Sequence, residues 1–279
     1  MTEDELFMRD AVRLARHALD HGETPVACVF VSRALREVVA FGVNATSRDH
    51  CGTAHAELQA IRQWQERWGG SGGASGGTGG EATGTGVPGS FSDLCVYVTV
   101  EPCVMCASAL RQIGVSKVYF GCANDRFGGN GTVLSLNSPQ SRSLGATPPY
   151  AAVPGLFRRE AIMLLRYFYV RENDKAPQAR SKGNRDINTR DFPPLHWGRY
   201  IGREEFGREF GSRELHRYDD DLDLAGDGVA DHGIDWTLID SRHDRIVDAL
   251  TERLDTLERS GRYHFGKKRK IAAESNIIT

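Results

Sequence analysis

The chain has 279 residues, enough for one large domain or a core domain with an extension. Its composition, 40% hydrophobic and 26% charged, is that of an ordinary soluble protein; no apolar run approaches the ~20 residues of a membrane span, and the acidic start MTEDELF lacks a secretory pattern, so a non-secreted chain without a membrane segment is expected. The net charge of −2 counts against a partner gripped by bulk charge alone, and six cysteines in a chain of this size argue for a reducing compartment, where Cys-x-x-Cys reads as metal or redox chemistry.

In chain order, residues 4–20 carry Phe7, Met8, Ala11, Val12, Ala15, Ala18 and Leu19 at helical spacing, with Gly22 as a stop. Residues 26–32 and 36–42 are β-branched runs joined by a short polar turn, which predicts a hairpin. A second helix is expected over 54–66, with Thr53 as its N-cap. The segment 69–90 is mostly Gly, Ser, Thr and Ala, and predicts a flexible surface insertion. A buried strand follows over 94–100. Pro102 is expected to open a third helix ending at Gly114, and a fourth strand is predicted over 115–121. This alternation predicts an α/β core of three layers.

Beyond it, residues 159–172 predict a further helix, apolar on one side. A helix from about Ser241 is expected to pack through Ile246, Leu250, Leu254 and Leu257. Charge is segregated: 158–190 is basic, Asp219, Asp220, Asp221 and Asp223 form an acidic run, and 267–270 is a basic patch. The expected division is a core domain over 1–175 and a C-terminal extension over 176–279.

Two short motifs carry the chemistry. A hydrolytic zinc site needs three protein ligands and one open position, and His55, Cys103 and Cys106 supply that count. Cys103 and Cys106 fall on one face at the start of a helix, where the helix dipole favours thiolates. Glu57, two residues after His55, is left over for proton transfer. The combination His-x-Glu with Pro-Cys-x-x-Cys is the signature of zinc-dependent nucleobase deaminases, in which such a carboxylate carries protons. A lone Cys-x-x-Cys would equally fit a redox pair or structural zinc. Cys28, Cys95 and Cys122 lie in apolar strand contexts and read as core thiols, while Cys51 is a rival ligand that would close the water position.

TAHAELQAI, then LCVYVTVEPCVMCASALRQIGVSKVYFGCANDRFGGNGTVLSLN, resembles the cytidine/deoxycytidylate deaminase superfamily. ARHALDHGETPVACVFV, VPGLFRREAIMLLRYFYVREN and KAPQARSKGNR resemble, within it, the catalytic subunits of eukaryotic tRNA-specific adenosine deaminases. The resemblance covers residues 6–185. It implies an α/β/α cytidine-deaminase-like core with a mixed central sheet, and Zn²⁺ held by His55, Cys103 and Cys106. Glu57 becomes the proton shuttle, and Asn44, Ala56 and Pro102 the substrate contacts. The implied activity is conversion of adenosine to inosine at the wobble position of tRNA anticodons. The implied partners are tRNA and a related, catalytically inactive deaminase subunit, in nucleus and cytoplasm. Arg180, Lys182 and Arg185 are candidate phosphate contacts, and 267–270 a candidate nuclear signal or RNA contact. The motifs alone leave open a deaminase of free cytosine, guanine or dCMP, or a zinc-stabilised RNA-binding subunit without turnover. The insertion at 69–90 and the long tail depart from the family core.

Overall fold

The computed structural model describes residues 1–68, 91–141, 147–171, 187–224, 233–241 and 244–260. The insertion at 69–90, the candidate contacts Arg180, Lys182 and Arg185, and the 267–270 patch lie outside them.

Helix α1 (Glu3–Asp20) begins at Thr2, whose hydroxyl accepts from the Glu5 N–H at 3.2 Å while the Glu5 carboxylate accepts from the Thr2 N–H at 2.5 Å. This reciprocal capping box fixes the helix start, and the predicted stripe from Phe7 to Leu19 is its buried face. Strands β1 (Ala27–Ser32) and β2 (Glu37–Val43) form the expected hairpin. Helix α2 (Ala56–Trp68), strand β3 (Leu94–Val100), helix α3 (Val104–Ile113) and strand β4 (Lys117–Cys122) follow. Then come β5 (Ala151–Pro154), α4 (Arg158–Val170), α5 (Arg203–Phe210), α6 (Leu215–Asp219), α7 (Trp236–Asp240) and α8 (Ile246–Arg259).

The sheet order is β2-β1-β3-β4-β5. β1 runs antiparallel to both its neighbours, and β3, β4 and β5 are parallel. The C-terminal ends of β2, β3, β4 and β5 therefore share one edge. β1 and β3 are buried along their whole length, which explains their near-continuous apolar runs. Helices α1 and α4 touch each other and cover one face; α2 and α3 touch each other and cover the other. The sheet is mixed and the core three-layered, as expected.

Gly42 on β2 shows how close the α2 layer lies. A Cβ there would sit 2.0 Å from the Ala56 carbonyl oxygen and 2.8 Å from the Ala60 nitrogen. Both are backbone atoms, so α2 itself would have to move. Gly42→Ala is expected to destabilise the fold by about 3 kcal/mol, at the upper end for overpacking, and to weaken metal retention because His55 leads into the same helix. Urea unfolding and metal analysis check this; wild-type stability would mean that α2 is free to shift.

Several local expectations need correction. Thr53 is not the cap of α2: the helix starts at Ala56, the Thr53 hydroxyl meets the Cys51 thiol, and the first helical N–H is taken by the Asn44 side chain. Pro102 does not open α3, because Cys103 is the N-cap. Gly114 does end that helix, in the left-handed conformation at φ 78°. Helix α8 begins at Ile246, five positions after the expected Ser241, and buries the predicted stripe of Ile246, Leu250, Leu254 and Leu257.

The described part of the tail does not stand apart from the core. Leu195, Trp197, Phe206, Ile234, Ile246 and Leu250 belong to the same buried cluster as Val29, Val96 and Phe120. Apolar burial does most of this work, at roughly 1.5–3 kcal/mol per large side chain. Ion pairs set the register at the rim: Arg13 holds Asp244 through two contacts of 2.7 Å, and Arg67 reaches Asp255 at 2.7 Å. Three of the four residues of the acidic run pair within the chain. Asp219 pairs with Arg203, Asp221 with His196, and Asp223 with both Arg158 and Arg159. No helix among the described residues is long and apolar enough to cross a membrane.

Candidate metal centre

The N-terminal ends of α2 and α3 meet above the sheet edge where β2 and β3 finish. His55 immediately precedes α2; Cys103 caps α3, and Cys106 follows within its first turn. The Cys103 Sγ lies 3.5 Å and the Cys106 Sγ 3.6 Å from His55 Nδ1. Three ligand atoms of this kind within 4.8 Å of one another occur nowhere else among the described residues.

These distances test whether the trio fits a metal. Tetrahedral zinc, with Zn–S near 2.3 Å and Zn–N near 2.05 Å, places a sulfur and a nitrogen ligand about 3.6 Å apart. The observed separations match, and the donor set of two thiols and an imidazole is the one zinc prefers. Cys106 is buried, whereas His55 and Cys103 are half-buried, so the trio keeps an accessible side. Cys51, the rival ligand, is exposed, bonded to Thr53, and outside the cluster. Cys28, Cys95 and Cys122 are buried core thiols. Hydrogen bonding from Cys106, then from His55, pulls the Cys103 thiol down to about 4, while the Cys106 thiol is pushed up.

Glu57, at the second position of α2, is buried at 2% exposure. Its Oε2 has no hydrogen-bond partner among the described residues. Burial pushes this carboxyl above its usual range. Asn44 sits at the end of β2 with its Oδ1 accepting from the Ala56 N–H at 2.9 Å. The amide oxygen of Asn44 and the N–H of Ala56 are thus committed to each other, so Asn44 fixes the start of the helix that carries Glu57. Pro102 lies beside Cys103, and its carbonyl oxygen accepts from the Gly129 N–H at 2.9 Å.

Glu101 was not singled out by sequence reasoning. It is 1% exposed and directly precedes Pro102. Its carboxylate accepts from the N–H groups of Asn124, Asn130 and Thr132 at 3.0, 2.9 and 3.1 Å, and from the Thr132 hydroxyl. It thereby folds the 124–132 loop back over the Cys103 end of α3. There the Val104 N–H donates to the Phe127 carbonyl at 2.8 Å. A Cβ on Gly129 would sit 2.6 Å from that of Ala107, so the loop approaches α3 as closely as a glycine allows. The available sequence signal was an acidic residue abutting Pro-Cys, followed by the Gly-rich FGGNG.

Residues 1–122 match the model of the cytidine and deoxycytidylate deaminase zinc-binding region. The tRNA-specific adenosine deaminase 2 of Xenopus laevis is 35% identical over 178 residues, covering 64% of this chain and 93% of that protein. The chain belongs to the tRNA-specific adenosine deaminase family. The subunit tad2 of the Schizosaccharomyces pombe enzyme is 44% identical over 199 residues, 71% of this chain, and the match spans 45% of the fission-yeast protein's length. A solved structure from work on tRNA:A34 deaminases aligns at 26% identity and a TM-score of 0.46, over 57% of this chain and 99% of that one.

Proposed function

We propose that this chain is the catalytic subunit of a heterodimeric tRNA adenosine deaminase, converting adenosine to inosine at the anticodon wobble position. The observation that carries the catalytic part of the reading is the buried, unpartnered Glu57 oxygen beside the His55–Cys103–Cys106 trio, while adenosine, tRNA and the partner subunit rest on the family. A purely structural zinc site has no use for such a carboxylate, and burying it is costly unless it works. Zinc bound by the trio supplies Lewis-acid activation of water near neutral pH. Glu57 accepts the proton of the attacking water and passes it to the purine ring nitrogen. It then carries a proton to the departing amine, so that adenosine and water give inosine and ammonia.

Asn44 holds the Glu57 helix by its amide oxygen and, with Ala56 and Pro102, borders the place of the target nucleoside. A cavity of about 390 Å³ adjoins Asn44 and is lined by His17, His21, Ser47, Arg48 and His50 among others. Its donors suit nucleotides flanking the target in a single-stranded loop, where extruding a base is cheapest. The deaminase domain is taken as 1–175 and the extension as 176–279. Arg180, Lys182 and Arg185 are assigned to phosphate contact, and the protein to nucleus and cytoplasm.

Incubating tRNA with the purified chain, with and without the related inactive subunit, and sequencing the product tests the whole reading. Inosine, read as G at the wobble position, is expected only with both subunits. Robust turnover by the chain alone would remove the heterodimer, and editing of free bases but not tRNA would remove the substrate.

A further inference from the structure

The tail reaches the zinc-site loop through one side chain. Tyr200 follows the buried Trp197, to whose carbonyl its N–H donates at 2.9 Å. Its ring meets Phe120 of β4 edge-on, with centroids 5.4 Å apart. It also lies so close to Gly131 that a Cβ there would sit 2.7 Å from the Tyr200 ring. The Tyr200 hydroxyl is 2.6 Å from Thr132 Oγ1. Thr132 Oγ1 in turn donates to the Glu101 carboxylate.

The direction of this chain of hydrogen bonds is fixed. A carboxylate only accepts, so Thr132 spends its single hydroxyl proton on Glu101. The Tyr200 O–H must then donate to the Thr132 oxygen. Polarised in this way, Thr132 is a stronger donor to Glu101 than a lone threonine. Glu101 gathers the N–H groups of Asn124, Asn130 and Thr132, and the same loop is pinned to Pro102 and Val104 on either side of Cys103.

We propose that Tyr200 is a positioning residue for the deaminase site, its hydroxyl orienting Glu101 through Thr132 and so setting the 124–132 loop against the Cys103 end of α3. The extension thereby completes the site from outside the core. This inference rests on the proposed deaminase reading; Tyr200, Thr132 and Glu101 are themselves neither proposed ligands nor proposed substrate contacts, and they act through the loop that meets Pro102 and Val104.

Tyr200→Phe removes the donor and keeps the ring that packs on Gly131 and Phe120, so the fold is retained. In the full chain with its partner subunit, kcat on tRNA is expected to fall about fivefold, the effect of one internal hydrogen bond, with KM unchanged. Hydrogen exchange at the amides of Asn124, Asn130 and Thr132, measured without substrate, is expected to quicken about as much, while the melting temperature stays near wild type. Thr132→Val should lower kcat at least equally, and adding Tyr200→Phe to it should cost nothing further, because the relay acts as one unit. A wild-type kcat in Tyr200→Phe, unchanged exchange at those amides, or additive effects in the double variant would each overturn the proposal. Failure of the wild-type complex to form inosine would instead strike the deaminase reading, which the exchange measurement does not depend on.

Discussion

Glu57→Gln is expected to lower inosine formation at least about 10³-fold while leaving zinc content and tRNA binding intact. Loss of a positioned general acid–base is worth about 10²–10⁴ in rate, and here the same carboxylate serves both proton transfers. The substitution is nearly isosteric, so the trio keeps its geometry. Its effect on stability should run opposite to its effect on rate. The Glu57 carboxylate is buried with an unpartnered oxygen, an arrangement that opposes folding. A neutral amide is less expensive to desolvate, so the melting temperature is expected to hold or rise by a few degrees, the trade of stability for activity seen at strained sites. Single-turnover assays, metal analysis and thermal unfolding read the three quantities separately. Appreciable turnover would remove Glu57 from the chemistry. A large loss of zinc would make it a support for the metal instead.

The parts of this molecule that were legible in the sequence are those whose signal is local. His55 with Glu57, and Cys103 with Cys106, sit within a helical turn of each other, and their spacing alone places them together. The same holds for α1, β1, β3 and the stripe of α8, where periodicity and burial agree. Strand β5 escaped because Ala151–Pro154 is four residues long, ends in proline, and is a strand only by pairing with β4. Helices α5, α6 and α7 escaped for a related reason. They are short, and tertiary anchors hold them: Phe206 against Trp197 at 4.8 Å, and the Asp235 N–H on Glu160 at 2.7 Å. Thr53 looked like a helix cap, but Asn44, twelve positions before Ala56, takes the role. Zinc chemistry was readable from the motif, whereas adenosine and tRNA came only from the surrounding resemblance. The partners of Glu101, spread over Asn124 to Thr132 and reached onward to Tyr200, are non-local, and the Gly-rich FGGNG marks the loop without saying which side chain gathers it.

That non-local network makes Glu101→Ala the more damaging change to the protein as a whole. It removes an acceptor that satisfies three backbone N–H groups and one hydroxyl within a buried pocket. Each stranded donor loses about 1–3 kcal/mol, partly recovered by entering water, so a net destabilisation of about 4 kcal/mol is expected. Activity should fall further than stability implies, because Gly128 and Gly129 pack on Glu101 and Cys103 respectively and lose their template. At a temperature where the variant remains folded, a drop in kcat of about 10²-fold is expected, the scale of misplacing a site by about 1 Å. Glu101→Gln separates the two contributions. The amide keeps one acceptor oxygen for part of the loop, but its NH₂ faces backbone donors and cannot serve them. It should therefore recover part of the stability and little of the rate. Equal recovery of both would mean that Glu101 acts only by holding the fold, and a wild-type rate in Glu101→Ala would detach the 124–132 loop from the site altogether.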